Sequence, residues 1–443
     1  MPLSLLPLAA LWLGALPQDG PRDPSPPAAT TSGILPVRTH GGSLVERSFL
    51  TGDWGGARDR WSESGIRFDI AWTQTVQSVL DGGLDETTEY GGRLDSLITF
   101  DLDRMGAVRG GLLDVRAESR YGESVNSASG ALLPVNDVMF FPLGAADEDI
   151  LVNVTELRYT QFLSSAAAVF FGKIVILGGD YNEFAGGRGD TQFMGHTFLS
   201  ATVTALINPY SSLGAGGFWK PTKNSTLTTA VYGSQDASST AGFEELENGL
   251  TWNTAYRTQY ELGGLPGGYN VAFQYAFNGD FTEIDGQFVD PEGRLRRPTE
   301  SESWNVYANL WQYLSVAPGS DAAIDVTNSR IDRAGYGFFL RAGVADRDTN
   351  PVEWVVSGGI GGRGVVPGRD EDSVGIGLAT GRAVENRFTD TTLVDRSTGR
   401  FEAYYAYAIT PSTILTLNFQ YIDTVVGGRD PATLLGLRLR AAL

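Results

Sequence analysis

Arg116, Glu118 and Arg120 stand at alternate positions in one short stretch, and Glu156 and Arg158 repeat the arrangement further on, with Arg67 upstream. A guanidinium is a rigid fork of donors and an ionised carboxylate only accepts. Alternate residues of a strand share one face, so such a row sets donors beside acceptors. Facing Arg and Asp/Glu of this kind match neighbouring hydroxyl groups. The alternation of sign along Arg116, Glu118 and Arg120 favours neither anions nor cations. Other chemistries lack their residues. With no cysteine there is no thiol nucleophile, disulfide scaffold or iron–sulfur ligand set, and two histidines, His40 and His196, exclude a multi-His metal site. His196 lies near Asp190 and Ser200, the ingredients of a hydrolytic constellation, but one histidine in a long loop is weak ground for an enzyme. The acidic runs Asp147-Glu148-Asp149 and Asp370-Glu371-Asp372 lack the Gly-centred spacing of a calcium loop and read as solvated turns. No cofactor is expected.

The elements that carry these side chains show a two-residue period. Ile66, Phe68, Ile70, Trp72 and Val76 alternate with Arg67, Asp69, Thr73, Thr75 and Gln77. Leu113, Val115 and Ala117 oppose Asp114, Arg116, Glu118 and Arg120; Leu415, Leu417, Phe419 and Tyr421 oppose Thr416, Asn418 and Gln420. About sixteen segments of roughly ten residues follow this rule, the length that crosses a bilayer when tilted. They begin near 66, 94, 111, 153, 167, 214, 226, 251, 268, 304, 334, 352, 372, 399, 413 and 433, those near 167, 214 and 352 alternating poorly. Links alternate between short (105–110, 164–166, 221–225, 263–267, 410–412) and long (79–93, 122–152, 178–213, 235–250, 279–303, 383–398). Residues 317–333 are long where a turn is expected, and 346–351 short where a loop is expected. Aromatic residues gather toward segment ends. The reading is an all-β, antiparallel transmembrane β-barrel, apolar outside and polar inside, with short turns periplasmic. On this topology a tag near Ala237, in the fourth long loop, faces the cell exterior.

Composition agrees. Against 33 Lys and Arg stand 52 Asp and Glu, a formal charge of −19 that argues against nucleic acid as partner. The mean hydropathy of −0.11 is what apolar-out, polar-in strands average to. Residues 2–18 carry no charge and read as a secretory signal ending near 19; residues 20–48, rich in proline, read as a flexible linker; the barrel takes 49–443.

The stretch LTGDWGGARDRWSESGIRF from Leu50 resembles the opening motif of the OprB-type carbohydrate-selective porins. YGGRLDSLITFDLDRMGAVRGG from Tyr90, ELRYTQFLSSAAAVFFG from Glu156 and the last 37 residues from Tyr407 are similar to later strands of that family, and the segment from Gly335 to Ala379, with its FxRxG core and PGRxxDxxGxG motif, matches most specifically. The chain ends in Leu443 where the family ends in an aromatic residue. The resemblance implies a sixteen-stranded outer-membrane porin that admits small neutral sugars, surrounded by outer-membrane lipid and inserted by the barrel-assembly machinery; it favours a monomer, with a trimer, the state of general porins, as the alternative. It implies a third long loop, 178–213, folded into the lumen, bringing Asp180, Asn182, Glu183 and Arg188 to the pore with Tyr181 and Phe184 as stacking rings. With them the expected pore lining is Arg67, Arg116, Glu118, Arg120, Glu156 and Arg158. In the opening motif Asp53 is expected to cap a short helix, with Trp54, Ala57 and Trp61 on one face, Arg58 and Arg60 on the rest, and Gly65 at its end. A general diffusion pore, a barrel enzyme and a structural barrel are the other readings. A TonB-dependent transporter needs a larger barrel and a folded plug.

Overall fold

The computed structural model describes residues 33–443 except 143–151, 205–206, 285, 287, 290, 292, 319–330, 332 and 384–398. The expected signal peptide, residues 20–32 of the expected linker, most of the 317–333 link and the run Asp147-Glu148-Asp149 lie outside the described residues.

Sixteen antiparallel strands close on themselves. They are β1 Ile66–Asp81, β2 Thr88–Asp101, β3 Gly111–Gly122, β4 Asn153–Ser164, β5 Ala167–Val175, β6 Ser211–Thr222, β7 Ser225–Gly233 and β8 Leu250–Leu262. There follow β9 Leu265–Phe277, β10 Ser303–Val316, β11 Gly335–Ala345, β12 Val352–Arg363, β13 Ser373–Ala383, β14 Arg400–Thr410, β15 Thr413–Ile422 and β16 Ala432–Ala442. Closure pairs β1 with β16, from Ala71 opposite Ala442 to Asp81 opposite Thr433. The barrel itself has no free edge to template aggregation, the condition for strands in lipid. Among the described residues no helix is long and apolar enough to cross a membrane.

Alternation sets the two faces. Arg67, Asp69, Thr73, Thr75 and Gln77 of β1 are buried in the lumen, whereas Trp72 and Val76 are exposed outward. Trp252, Tyr275 and Trp304 stand side by side across β8, β9 and β10 near the long-loop rim. Trp54, Trp61 and Phe68 cluster at the opposite rim with ring centroids 5.2–6.0 Å apart. These are the two aromatic girdles of an outer-membrane barrel.

The strand starts fall within a few residues of the sequence reading, β2 excepted. It begins at Thr88, not 94, because Gly91 and Gly92 carry no side chain to show the period, so the first long link shrinks to 82–87. Segments that alternate poorly have a physical cause. In β5, Gly172 sits at φ +122 and is followed by two buried residues, Lys173 and Ile174, a local shift of parity. In β12 and β13 several lumen positions, among them Gly361 and Gly377, are glycines against which loop side chains press. A Cβ at Gly377 would lie 2.6 Å from the Phe198 ring, and one at Gly361 3.0 Å from Phe184.

Those rings belong to the segment 176–210, which fills the lumen as expected of the third long loop. Phe184, Phe193 and Phe198 pack against Trp311, Tyr313, Phe339 and Tyr404 of the wall. Arg438 donates to the carbonyls of Gly189 (2.5 Å) and Gln192 (2.8 Å), Arg440 pairs with Asp190 (2.9 Å), and Glu402 accepts the backbone N–H of Met194 (2.5 Å) and Gly195 (3.1 Å). The loop therefore covers β10–β16 and leaves the passage against β3–β9.

At the short-turn rim, helix α1 (Ala57–Ser64) ends in Gly65 at φ 98, as expected. Its start differs. Gly56 is the N-cap with no side-chain bond, and Asp53 instead contributes its carbonyl to Arg58 N–H (3.0 Å). Arg58 is not on the surface: it is 1% exposed, donates to the carbonyls of Leu443 (2.8 Å) and Phe68 (2.7 Å), and lies 4.0 Å over the Phe49 ring. It thus ties α1 to the chain end and to β1. Within the expected linker, Ile34, Leu35 and His40 are buried, the first two against the barrel wall. Ala237 is fully buried rather than at a loop tip.

Candidate functional site

Charged side chains gather where β3 and β4 face the inward loop. Pairing places Arg116 opposite Glu156, and a bulge beside it turns both Thr155 and Glu156 into the lumen. Arg116 contacts Asp95 (2.6 Å) and Glu156 (3.4 Å); Arg158 contacts Glu156 (3.0 Å) and Asp114 (2.7 Å). Arg188, reaching over from the loop, contacts Glu118 (2.5 Å) and Asp95 (3.4 Å), while Arg93 lies 4.0 Å from Glu118. Tyr210 Oη and Thr155 Oγ1 also donate to Glu118, at 2.7 and 2.6 Å. Four arginines thus face four carboxylates in one network, so that each buried charge has an opposite charge beside it.

Arg116, Glu156 and Arg158 form one side of a cleft of ≈ 180 Å³. Asp180 and Tyr181 of the loop form another, with Tyr232, Asn253, Asn270 and Tyr307 from β7–β10 completing it. Donors, acceptors and ring faces thereby converge on one space. The loop side is held from behind. Arg341 grips Asp180 through two bonds (2.6 and 2.7 Å) and donates to the carbonyls of Ala185 (2.6 Å) and Phe198 (3.2 Å), and the Arg257 guanidinium lies 3.7 Å over the Tyr181 ring.

The family model for the carbohydrate-selective porins of OprB type matches residues 85–443. The chain belongs to the OprB family. It is a carbohydrate-selective porin of the bacterial outer membrane, with the family and fold of a channel. The match begins after α1 and β1, so the opening motif from Leu50 lies outside it. The QuiX protein of Acinetobacter baylyi, named as a porin, is 21% identical over 89% of this chain and 93% of its own length. A high-pH structure of OprB from Pseudomonas putida superposes with a TM-score of 0.75 at 19% identity, covering 91% of this chain and 100% of that one. A low-pH structure of the same protein gives 0.55 at 15% identity, over 89% and 98%. At these identities the likeness is one of fold.

Within this OprB porin the residues singled out in the sequence divide into three groups. Arg116, Glu156, Arg158, Asp180 and Tyr181 meet at the cleft, with Glu118 directly behind. Arg120 instead donates to the carbonyls of Met139 (2.8 Å) and Phe140 (2.7 Å), holding the loop 123–142, and Arg67 pairs with Asp69 (2.8 Å) near the short-turn rim. Asn182 and Glu183 face the far wall: Asn182 Oδ1 accepts the N–H of Phe184 and Ala185 (both 3.1 Å), and Glu183 accepts Tyr313 Oη (2.5 Å). Asp95, Asp114, Arg93 and Arg341 complete the arrangement. The first three follow from strand parity, and Arg341 from the FxRxG core.

His196 meets Asp137 (2.7 Å) and Ser200 (3.1 Å), whereas Asp190, its sequence neighbour, is taken by Arg440. This links the loops 123–142 and 176–210. In the second acidic run Asp372 pairs with Arg369 (2.7 Å) and Glu371 with Arg363 (2.6 Å). Among the described residues no three His, Asp or Glu side chains converge as metal ligands.

Proposed function

We propose that this cleft is the sugar-selecting constriction, with Arg116, Glu156 and Arg158 on the wall and Asp180 and Tyr181 on the loop as the residues that meet the solute. One observation carries the reading: a charge-balanced row of donors and acceptors faces a tyrosine ring across a narrow gap. A neutral sugar presents hydroxyls at its edge and a flat face of C–H groups, so the row takes the edge and Tyr181 takes the face. Glu118, Arg120, Asn182, Glu183 and Arg67 act as positioning groups, as does the His196 link; hydrolysis lost on His196→Ala would revive an enzymatic reading. Long loops face the cell exterior and both chain ends face the periplasm. A single chain forms the complete channel.

The test is liposome swelling with sugars and non-sugar solutes of matched size, for the native protein and Arg116→Ala/Arg158→Ala. The double substitution leaves the network two negative charges in excess. Glucose should slow relative to size-matched non-sugars, and potassium should be favoured over chloride in a planar bilayer. Unchanged glucose flux would sink the assignment. Equal rates at equal size for the native protein would make it a general diffusion pore.

A further inference from the structure

The lumen of an outer-membrane barrel is polar, and β2–β6 break that rule at their short-turn ends. Leu97, Leu112, Phe162, Ala168 and Phe218 all turn inward there, and Ile34 and Leu35 cover them. The covering segment is also held by directed polar bonds. The buried Asp101 carboxylate accepts the backbone N–H of both Ile34 (2.7 Å) and Leu35 (2.8 Å), and Arg104 donates to the Leu35 carbonyl (2.5 Å). Arg38 donates its N–H to Ser62 Oγ (2.8 Å) and pairs with Asp69 (2.5 Å), while His40 N–H and Nδ1 both meet Asp59 Oδ1 at 2.8 Å. Pro36 and Thr39 stay exposed to solvent.

The position matters as much as the attachment. Leu112 and Phe162 stand on the strands that carry Arg116 and Arg158, each four residues nearer the short-turn rim. At a rise of ~3.3 Å per residue that is about 13 Å along the wall. A solute leaving the cleft toward the periplasm along this wall meets residues 33–40 next.

We propose that residues 33–40 form a strap that acts as a second, size-selecting filter in series with the charged constriction. The proposal rests on the reading of the cleft given above. The two filters use different chemistry: the first discriminates by hydrogen bonding, the second by width alone.

The chain has no cysteine, so Pro36→Cys introduces a unique thiol. The full-length variant, reconstituted in a planar bilayer, is treated with a bulky methanethiosulfonate. Single-channel conductance should fall on labelling; full labelling by mass spectrometry with unchanged conductance overturns the strap. In Ile34→Ser/Leu35→Ser the apolar seal is lost, and liposome swelling should extend to a larger sugar of a mono-, di- and trisaccharide series. An unchanged size limit in a barrel with native heat-modified gel mobility also overturns it, and should that variant fail to assemble, the thiol experiment decides alone. Released strap variants should keep the preference for sugars over matched non-sugars, which Arg116→Ala/Arg158→Ala should lose. Either filter can therefore fail without the other.

Discussion

Replacing Arg341 by alanine should free the loop side of the constriction without emptying the lumen. Arg341 is 1% exposed and makes four bonds to the loop: two to the Asp180 carboxylate, one each to the carbonyls of Ala185 and Phe198. Removing one partner of a buried ion pair costs about 3–5 kcal/mol, because the other charge is left uncompensated. The loop has independent anchors at Arg438, Arg440, Glu402 and the Phe193–Phe198 cluster. It therefore stays inside, and the damage is confined to the stretch carrying Asp180 and Tyr181. Two readouts follow. Denaturant resistance of the folded barrel should drop by roughly the stated amount, and Asp180, now unpaired at the cleft, should move the reversal potential in a salt gradient toward cations. Arg341→Lys keeps the charge but not the two-point grip, so it should restore selectivity while channel noise stays high. A stability change within ~0.5 kcal/mol, the range of ordinary surface substitutions, together with an unaltered reversal potential would refute the anchoring role.

Gly377→Leu should lower conductance at a cost of about 1–3 kcal/mol, because its Cβ would lie 2.6 Å from Phe198 and the loop must back away from the β13 wall into the passage; a native conductance would show that the loop does not bound the passage. Burial depresses the His40 pKa, with its bond to Asp59 opposing and the Arg58 charge assisting. The folded chain then binds fewer protons than the unfolded one, so the stability His40 contributes is present above its ordinary value of about 6.5 and lost as pH falls below it. Trypsin cleavage after Arg38 should rise between pH 7 and 5, and His40→Gln should flatten that dependence; a flat native profile would contradict it. A tag between Glu247 and Asn248, both exposed, should be reached by antibody on intact cells, and labelling only after permeabilisation would invert the barrel.

The barrel was legible because its sixteen strands repeat one physical rule, and the rule fails only where side chains stop reporting it. At Gly91-Gly92 and along β12 and β13 the missing side chains are the structural point, since rings of the loop occupy the space. Parity was enough to place Arg116, Glu156 and Arg158 on the lumen face, even across a bulge that no periodicity announces. Loop residues were harder. Asp180 and Tyr181 reach the cleft while Asn182 and Glu183, the next two positions, turn to the far wall, and a loop has no period from which to read that difference. Arg58 looked like a surface arginine because its partners, the carbonyls of Leu443 and Phe68, come from barrel closure and not from the helix. The packed segment 33–40 was hidden by proline-rich composition, which marks an extended backbone whether or not that backbone has a wall to lie on.

The balance of charge at the constriction bears directly on how a neutral solute passes. A lone arginine or carboxylate in a narrow lumen would attract one sign of ion and would itself be costly to desolvate. Paired as Arg158 is with Asp114 and Glu156, it presents no net field. Guanidinium N–H donors and carboxylate acceptors are the groups that a sugar hydroxyl bonds to. An ion gains from the network only by drawing one member away from its counter-charge. The formal −19 of the chain therefore says little about permeation. What counts is that arginine and carboxylate are matched residue for residue in the network at the cleft, so that removing Arg116 or Arg158 unmatches it by one charge and removing both by two.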